Sequence, residues 1–160
     1  MSKKLEGNGL WESSRMMLPQ HKEQSMLARQ AEKTPPTSKE TELMRRSIIL
    51  PVALRIVEKN SRDMELSSQT LRPVYAAAAK VMIRQMREDL QKSKKALVES
   101  QIRLTEDSKD EAVICYRYVC RGIQGRLEMT KEFMRQEVSL TIGRYASSLV
   151  TTLQQAMSRK

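Results

Sequence analysis

Residues 73–100, PVYAAAAKVMIRQMREDLQKSKKALVES, carry the clearest helical signal in this chain. Pro73 suits a first helical position, and the apolar residues after it recur mostly at intervals of three and four. These apolar residues are Tyr75, Ala78, Ala79, Met82, Met86, Leu90 and Leu97. The alanines at 76–79 add high helix propensity, and basic side chains occupy the other face. The pattern predicts a long amphipathic helix over residues 73–100.

The segment that precedes this helix is predicted to be helical as well. Thr37 or Ser38 can cap a helix there, because a glutamate follows three or four residues later. Ten apolar residues between positions 43 and 57 are too dense for a helix with one buried side. This helix is therefore predicted to be buried on more than one side. The ring of Pro51 clashes with the carbonyl of Ser47, which predicts a kink or a break there.

The chain changes character after residue 100. Residues 101–105 alternate between polar and apolar, and residues 113–120, VICYRYVC, are strongly β-prone. They predict a two-stranded hairpin packed on the helices, since an isolated hairpin is marginal in water. Residues 121–125 are expected to end the strand, and residues 126–158 return to helical spacing. Gly143 is interpreted as a place where this last helix closely approaches the alanine face of the helix predicted over residues 73–100.

These segments give a mainly α fold class with two parts. Residues 1–36 are predicted to form a flexible, extended N-terminal arm that ends in a Pro35-Pro36 linker. Residues 37–160 are predicted to form a small helical bundle of about three long helices. A β-hairpin near 101–120 is placed between the last two of these helices.

The arm carries the candidate partner-binding residues. A solvated tail has no physical reason to hold a tryptophan, two adjacent methionines and a leucine, since burying one large side chain is worth roughly 1.5–3 kcal/mol. The candidates are Trp11, Arg15, Met16, Met17, Leu18 and His21. Two interpretations stay open: the cluster docks on a partner protein, or it folds back on the helical body. His21 also fits a plain polar residue that begins a short helix after Pro19.

Residues 5–23 resemble the opening of the YolD-like family, whose members start with a Trp-x-x-Ser-Arg-Met-x-Leu-Pro-x-His pattern. The matching positions are Trp11, Ser14, Arg15, Met16, Leu18, Pro19 and His21. The resemblance implies a link to translesion DNA polymerases and the DNA-damage response, so that the partner would be a DNA polymerase or a repair factor. It does not extend to that family's β-rich remainder. Residues 48–145 are broadly similar to small uncharacterised bacillar helical proteins.

The net charge of +10 supports a second interpretation, a nucleic-acid-binding helical module. Its candidate residues are Lys80, Arg84, Arg87, Lys92, Lys94, Lys95 and Arg103. The charge is spread along the chain with acids among the bases, so an ordinary solvated helix face explains these residues as well. A self-assembling helical structural protein, and therefore a homo-oligomer, is the third interpretation.

Catalytic and metal-binding patterns are missing from the sequence. One histidine and two cysteines five residues apart fit no zinc site, and there is no Gly-rich phosphate loop. We therefore predict no enzyme, no metal and no cofactor, and free thiols at Cys115 and Cys120. No stretch approaches the roughly 20 apolar residues of a membrane span, and the first residues lack a signal-peptide pattern. The sequence as a whole predicts a non-enzymatic cytoplasmic interaction or accessory protein.

Overall fold

The computed structural model describes residues 33–159, which contain three long helices and one antiparallel sheet. In chain order the elements are α1 (Ser38–Leu66), α2 (Arg72–Glu99), β1 (Ile102–Lys109), β2 (Val113–Cys120), β3 (Ile123–Thr130) and α3 (Lys131–Ser158). The strand order is β1-β2-β3, so each strand pairs with its neighbour in sequence. The whole sheet is inserted between α2 and α3.

The predicted fold class is wrong, because a three-stranded sheet stands where a two-stranded hairpin was expected. Arg121 and Gly122 do not end the β region but form the two-residue turn between β2 and β3. Their φ angles are 48° and 83°, and a type I′ hairpin turn requires positive φ at both central residues. Residues 126–130 consequently belong to β3, and the last helix begins at Lys131 and not at 126.

The helix starts follow local sequence signals. Glu40 N–H donates to Thr37 Oγ1 at 3.3 Å, and Thr37 N–H donates to Glu40 Oε2 at 2.7 Å. This reciprocal capping box confirms Thr37 as the cap of α1. Thr130 caps α3 by a single hydrogen bond, in which its side-chain oxygen accepts from Phe133 N–H at 3.1 Å.

Pro51 does not break α1, which continues as one helix from Ser38 to Leu66. A proline removes one backbone hydrogen bond, but the residues on both sides of it are anchored in the core. Leu50 is 1% exposed and Ala53 is fully buried. Burial of the flanking residues therefore holds the helix through the proline, since helices in proteins are stabilised mainly by tertiary packing.

The core is built around α1. Its buried apolar side chains are Met44, Ile48, Ile49, Leu50, Ala53, Leu54 and Val57. The other two helices contribute Met82, Met86, Leu97, Met134 and Val138, and the sheet contributes Ile102, Ile114, Cys120, Leu127 and Met129. α1 is thus packed against both other helices, which confirms that it is buried on more than one side.

The sheet presents one face to this core. Tyr118 lies directly opposite Gly125 in the β2–β3 register, and its ring occupies the space that a Cβ of residue 125 would need. The glycine thus lets the tyrosine lie flat against the neighbouring strand. Cys115 and Cys120 are both buried and are not joined in a disulfide, as predicted.

Candidate functional site

The predicted partner-binding residues of the arm lie outside the described residues. They are Trp11, Arg15, Met16, Met17, Leu18 and His21. Their docking role stays a prediction.

The predicted basic residues lie on two elements. Six of them lie on α2, whereas Arg103 lies on β1 opposite Val119. Five have a carboxylate partner within 4.0 Å: Lys80 with Glu65, Arg84 with Glu88, Arg87 with Glu58, Lys92 with Asp89, and Lys95 with Glu99. Within residues 33–159, only Lys94 and Arg103 of the set have no ion pair. Carboxylates interspersed among the bases weaken the attraction of this face for phosphate.

Asp89 joins the three helices at the wall of a cleft of about 560 Å³. Tyr145 on α3 donates its hydroxyl proton to Asp89 Oδ2 at 2.6 Å, and Arg46 on α1 approaches the same oxygen at 3.5 Å. Burial raises the pKa of Tyr145, and the hydrogen bond to Asp89 raises it further. Tyr145 therefore remains a protonated donor at neutral pH. This cluster holds the three helices together. The protonated hydroxyl of Tyr145 cannot accept a proton as a general base would.

A second polar cluster ties the sheet to the start of α1. The Arg121 guanidinium donates to both carboxylate oxygens of Glu40, at 2.6 Å and 3.0 Å, and also to the carbonyls of Ser100 and Pro35, each at 3.2 Å. The hydrogen bond from Arg121 is the main reason that the pKa of Glu40 falls from 4.5 to about 2. Both side chains are only 17% exposed. This bidentate pair fixes the β2–β3 turn against the start of α1 and the end of α2.

Neither a metal site nor a membrane span is found in the described part of the chain. Within residues 33–159, no group of three or more His, Cys, Asp or Glu side chains is placed to hold a metal ion. No helix in that range combines the length and apolar character needed to cross a bilayer.

The last half of α3 differs from the rest of the surface because it carries no charge. Residues 145–158, YASSLVTTLQQAMS, hold no Asp, Glu, Lys, Arg or His, and this is the longest charge-free run in the chain. At the overall charged fraction of 30%, fourteen residues would hold about four charges. The run is nevertheless largely solvent-facing, since every residue from Val150 to the helix end is exposed. An uncharged surface on a protein of net charge +10 is the feature that needs explanation.

Within this half, large apolar side chains project into solvent. Val150 is 52% exposed, Leu153 55% and Met157 77%. Together with Gly143 and Ala146 they follow a 3-4-3-4 spacing, which aligns them along one side of the helix. We name these five residues the α3 seam. The residues of α3 that pack against the core are Met134, Val138, Ile142, Tyr145, Ala146 and Leu149, so the half-buried Ala146 lies at the border between the seam and the core.

Gly143, the first residue of the seam, does not approach another helix. A Cβ added at this position would meet nothing within 4 Å, so the predicted close approach to the alanines of α2 is wrong. A glycine inside a helix costs about 1 kcal/mol relative to alanine, and the described chain shows no internal packing reason for it.

Sequence reasoning missed the α3 seam for a physical reason. The heptad-like spacing and the missing charges were visible, but apolar residues at helical spacing normally indicate a core-facing side. The structure shows that the packing of α3 against the core ends at Leu149, so the apolar residues that continue the helical spacing beyond it are exposed.

A family model described as YhjD protein matches residues 35–150, which include α1, α2, the sheet and most of α3. The chain belongs to the YhjD family. No curated protein and no solved structure matches it. The family match does not reach residues 5–23, so the YolD-like resemblance of that segment stays a prediction.

Proposed function

We propose that this YhjD family member is a non-enzymatic, cytoplasmic interaction protein that binds another protein chain through the α3 seam. The observation that carries the proposal is the exposure of Val150, Leu153 and Met157 in a helix half without charges. Contiguous exposed apolar surface is unusual on a monomeric protein and marks interaction sites.

The composition of this helix half also suits an interface. Charged residues are depleted at the centre of protein–protein interfaces, whereas large apolar residues, methionine among them, are enriched there. The charges of α3 instead lie at or before Arg144, at the end of the helix next to the sheet. A partner on the seam would therefore cover apolar side chains without desolvating a charge.

Docking through the N-terminal arm remains a separate proposal that rests on Trp11, Met16 and the YolD-like resemblance. It assigns the arm to a DNA polymerase or a repair factor. Alanine at both positions should then remove that partner and leave binding at the α3 seam unchanged, as measured by co-purification of the full chain.

The interaction through α3 is tested by placing a photo-crosslinking amino acid at position 150 in cells that produce the protein naturally. We expect a covalent protein adduct after irradiation. The matched control is position 140, because Leu140 lies on the same helix with 53% exposure but outside the seam. Adducts from neither position, or equally from both, would contradict the proposal.

A further inference from the structure

We propose that the chain covering the α3 seam is a second copy of this protein, with the two α3 helices packed antiparallel about a two-fold axis. The inference rests on the proposed function, since it names the partner of the same surface. A two-fold contact uses the same patch on both copies. The patch must therefore be complementary to itself in shape and in charge.

Electrostatics limits where two copies can meet. Each copy carries a net charge of +10, so their surfaces repel at most points of approach. Residues 145–158 form a helix surface of about four turns in which neither copy presents a charge. A foreign protein rich in carboxylates would instead bind the basic regions elsewhere on the surface. A charge-free surface does not attract such a protein. The seam is thus better suited to a like-charged copy than to an acidic partner.

The side-chain volumes of the seam fix the direction of packing. In an antiparallel pair with its axis between Thr151 and Thr152, Val150 faces the second copy's Leu153, and Ala146 faces the second copy's Met157. Each layer then combines a smaller with a larger side chain, so the layers have similar volumes, as close packing requires. A parallel pair would place alanine against alanine and methionine against methionine. That arrangement leaves a gap at one end of the seam and crowding at the other.

The antiparallel direction also separates the charged halves of α3. Lys131, Glu132, Arg135, Glu137 and Arg144 all precede the uncharged half. Antiparallel helices that overlap through residues 146–157 keep these halves at opposite ends of the contact. In a parallel pair the two halves, each with a net charge of +1 from these five residues, would lie side by side.

The inference is tested by measuring the mass of the full-length chain by light scattering over a concentration series. The wild type should move from 18.5 kDa towards 37.0 kDa, twice the chain mass, as the concentration rises. Val150→Glu and Leu153→Lys should each remain at 18.5 kDa, because each homodimer would bury two unpaired charges. Leu140→Glu is the matched control and should dimerise as the wild type does.

Mixing the two seam variants tests the direction. In an antiparallel heterodimer, the glutamate introduced at position 150 of one copy faces the lysine introduced at position 153 of the other. The second layer keeps the native Val150 and Leu153, so the mixture should regain the dimer mass. A parallel dimer offers neither pairing and would not be rescued. Thermal melts by circular dichroism confirm that each variant is folded, as expected at positions that are more than half exposed.

Several outcomes overturn the inference. They are a wild-type mass of 18.5 kDa at every concentration, single variants that dimerise normally, or a mixture that stays monomeric. The proposed function fails separately, since it requires a protein adduct from position 150. An adduct with a different protein, together with a monomeric chain, would retain the proposed function and reject the second copy.

Discussion

Arg121 and Glu40 form the least exposed ion pair of the described residues, and it makes stability depend on pH. The pKa of Glu40 lies at about 2 in the folded chain, below its ordinary value of 4.5, mainly because Arg121 donates to it. A carboxyl group whose pKa is lowered in the folded state stabilises that state at pH values above its ordinary pKa. That contribution is lost as the pH falls through the folded value.

We therefore expect Glu40→Gln to unfold at a lower temperature than the wild type at pH 7. The difference should shrink between pH 4.5 and about 2 as the wild-type carboxylate becomes protonated. Thermal melts at a series of pH values measure this. Glu42→Gln is the control, because Glu42 is 72% exposed and reaches Arg45 only at 3.9 Å. A difference that stays constant with pH would contradict the role of the carboxylate.

Gly125 is required by the ring of Tyr118, which occupies the space of a Cβ. Gly125→Ala should therefore lower the free energy of unfolding by about 1–3 kcal/mol, because the ring must move out of its packed position. Denaturant unfolding measures the change. In a Tyr118→Leu background the same substitution should cost less, since leucine lacks the atoms that clash. Equal costs in both backgrounds would show that the ring is not responsible.

At the scale of elements, the Asp89 cluster holds α3 against α1 and α2. Tyr145→Phe keeps the ring but removes the hydrogen bond of 2.6 Å to Asp89. We expect a loss of about 1 kcal/mol in the free energy of unfolding, typical of one hydrogen bond. Thr151→Val serves as a control, because its hydroxyl bonds only to the Ser147 carbonyl of its own helix. An unchanged free energy of unfolding for Tyr145→Phe would show that this cluster does not stabilise the contact between the helices.

Helix α3 contains one glycine that its own chain does not explain. Gly143→Ala should raise the free energy of unfolding by up to about 1 kcal/mol, because alanine favours the helix and nothing lies within 4 Å of the added Cβ. The measurement is best made in a Val150→Arg background, where self-association cannot contribute. A destabilised variant would show that residue 143 meets a neighbour after all.

At the scale of the whole molecule, net charge and the uncharged seam predict how salt acts. Two copies of charge +10 repel across solvent, and the Debye length falls from about 10 Å at 0.1 M to about 3 Å at 1 M salt. Sedimentation should therefore show tighter self-association at high salt. Nucleic-acid binding through α2 would show the opposite, since phosphate contacts weaken as salt rises.

Charge reversal separates these two interpretations further. Replacing Lys92, Lys94 and Lys95 by glutamate lowers the net charge from +10 to +4, because each replacement changes the charge of one side chain from +1 to −1. The dimer should become tighter at low salt, whereas a complex with nucleic acid would be lost. A weaker dimer in this variant would contradict an uncharged contact surface.

The features that depend on local patterns could be predicted from the sequence alone. The helix predicted over 73–100 is observed as Arg72–Glu99, and the capping box at Thr37 is present. The density of apolar residues around Leu50 correctly predicted a helix that is buried on several sides. Each of these depends on residues within a few turns of one another, which the sequence shows directly.

The features that depend on contacts between distant parts of the chain could not be predicted in this way. Residues 123–130 became a third strand because Arg121 and Gly122 form a tight turn and β2 supplies backbone partners, although the spacing from 126 onward resembled a helix. α1 continues through Pro51 because the residues on both sides of the proline are buried in the core. Val150, Leu153 and Met157 are exposed because Leu149 is the last residue of α3 that packs against the core. A sequence pattern shows that a helix has an apolar side, but packing decides how much of that side remains open to a partner.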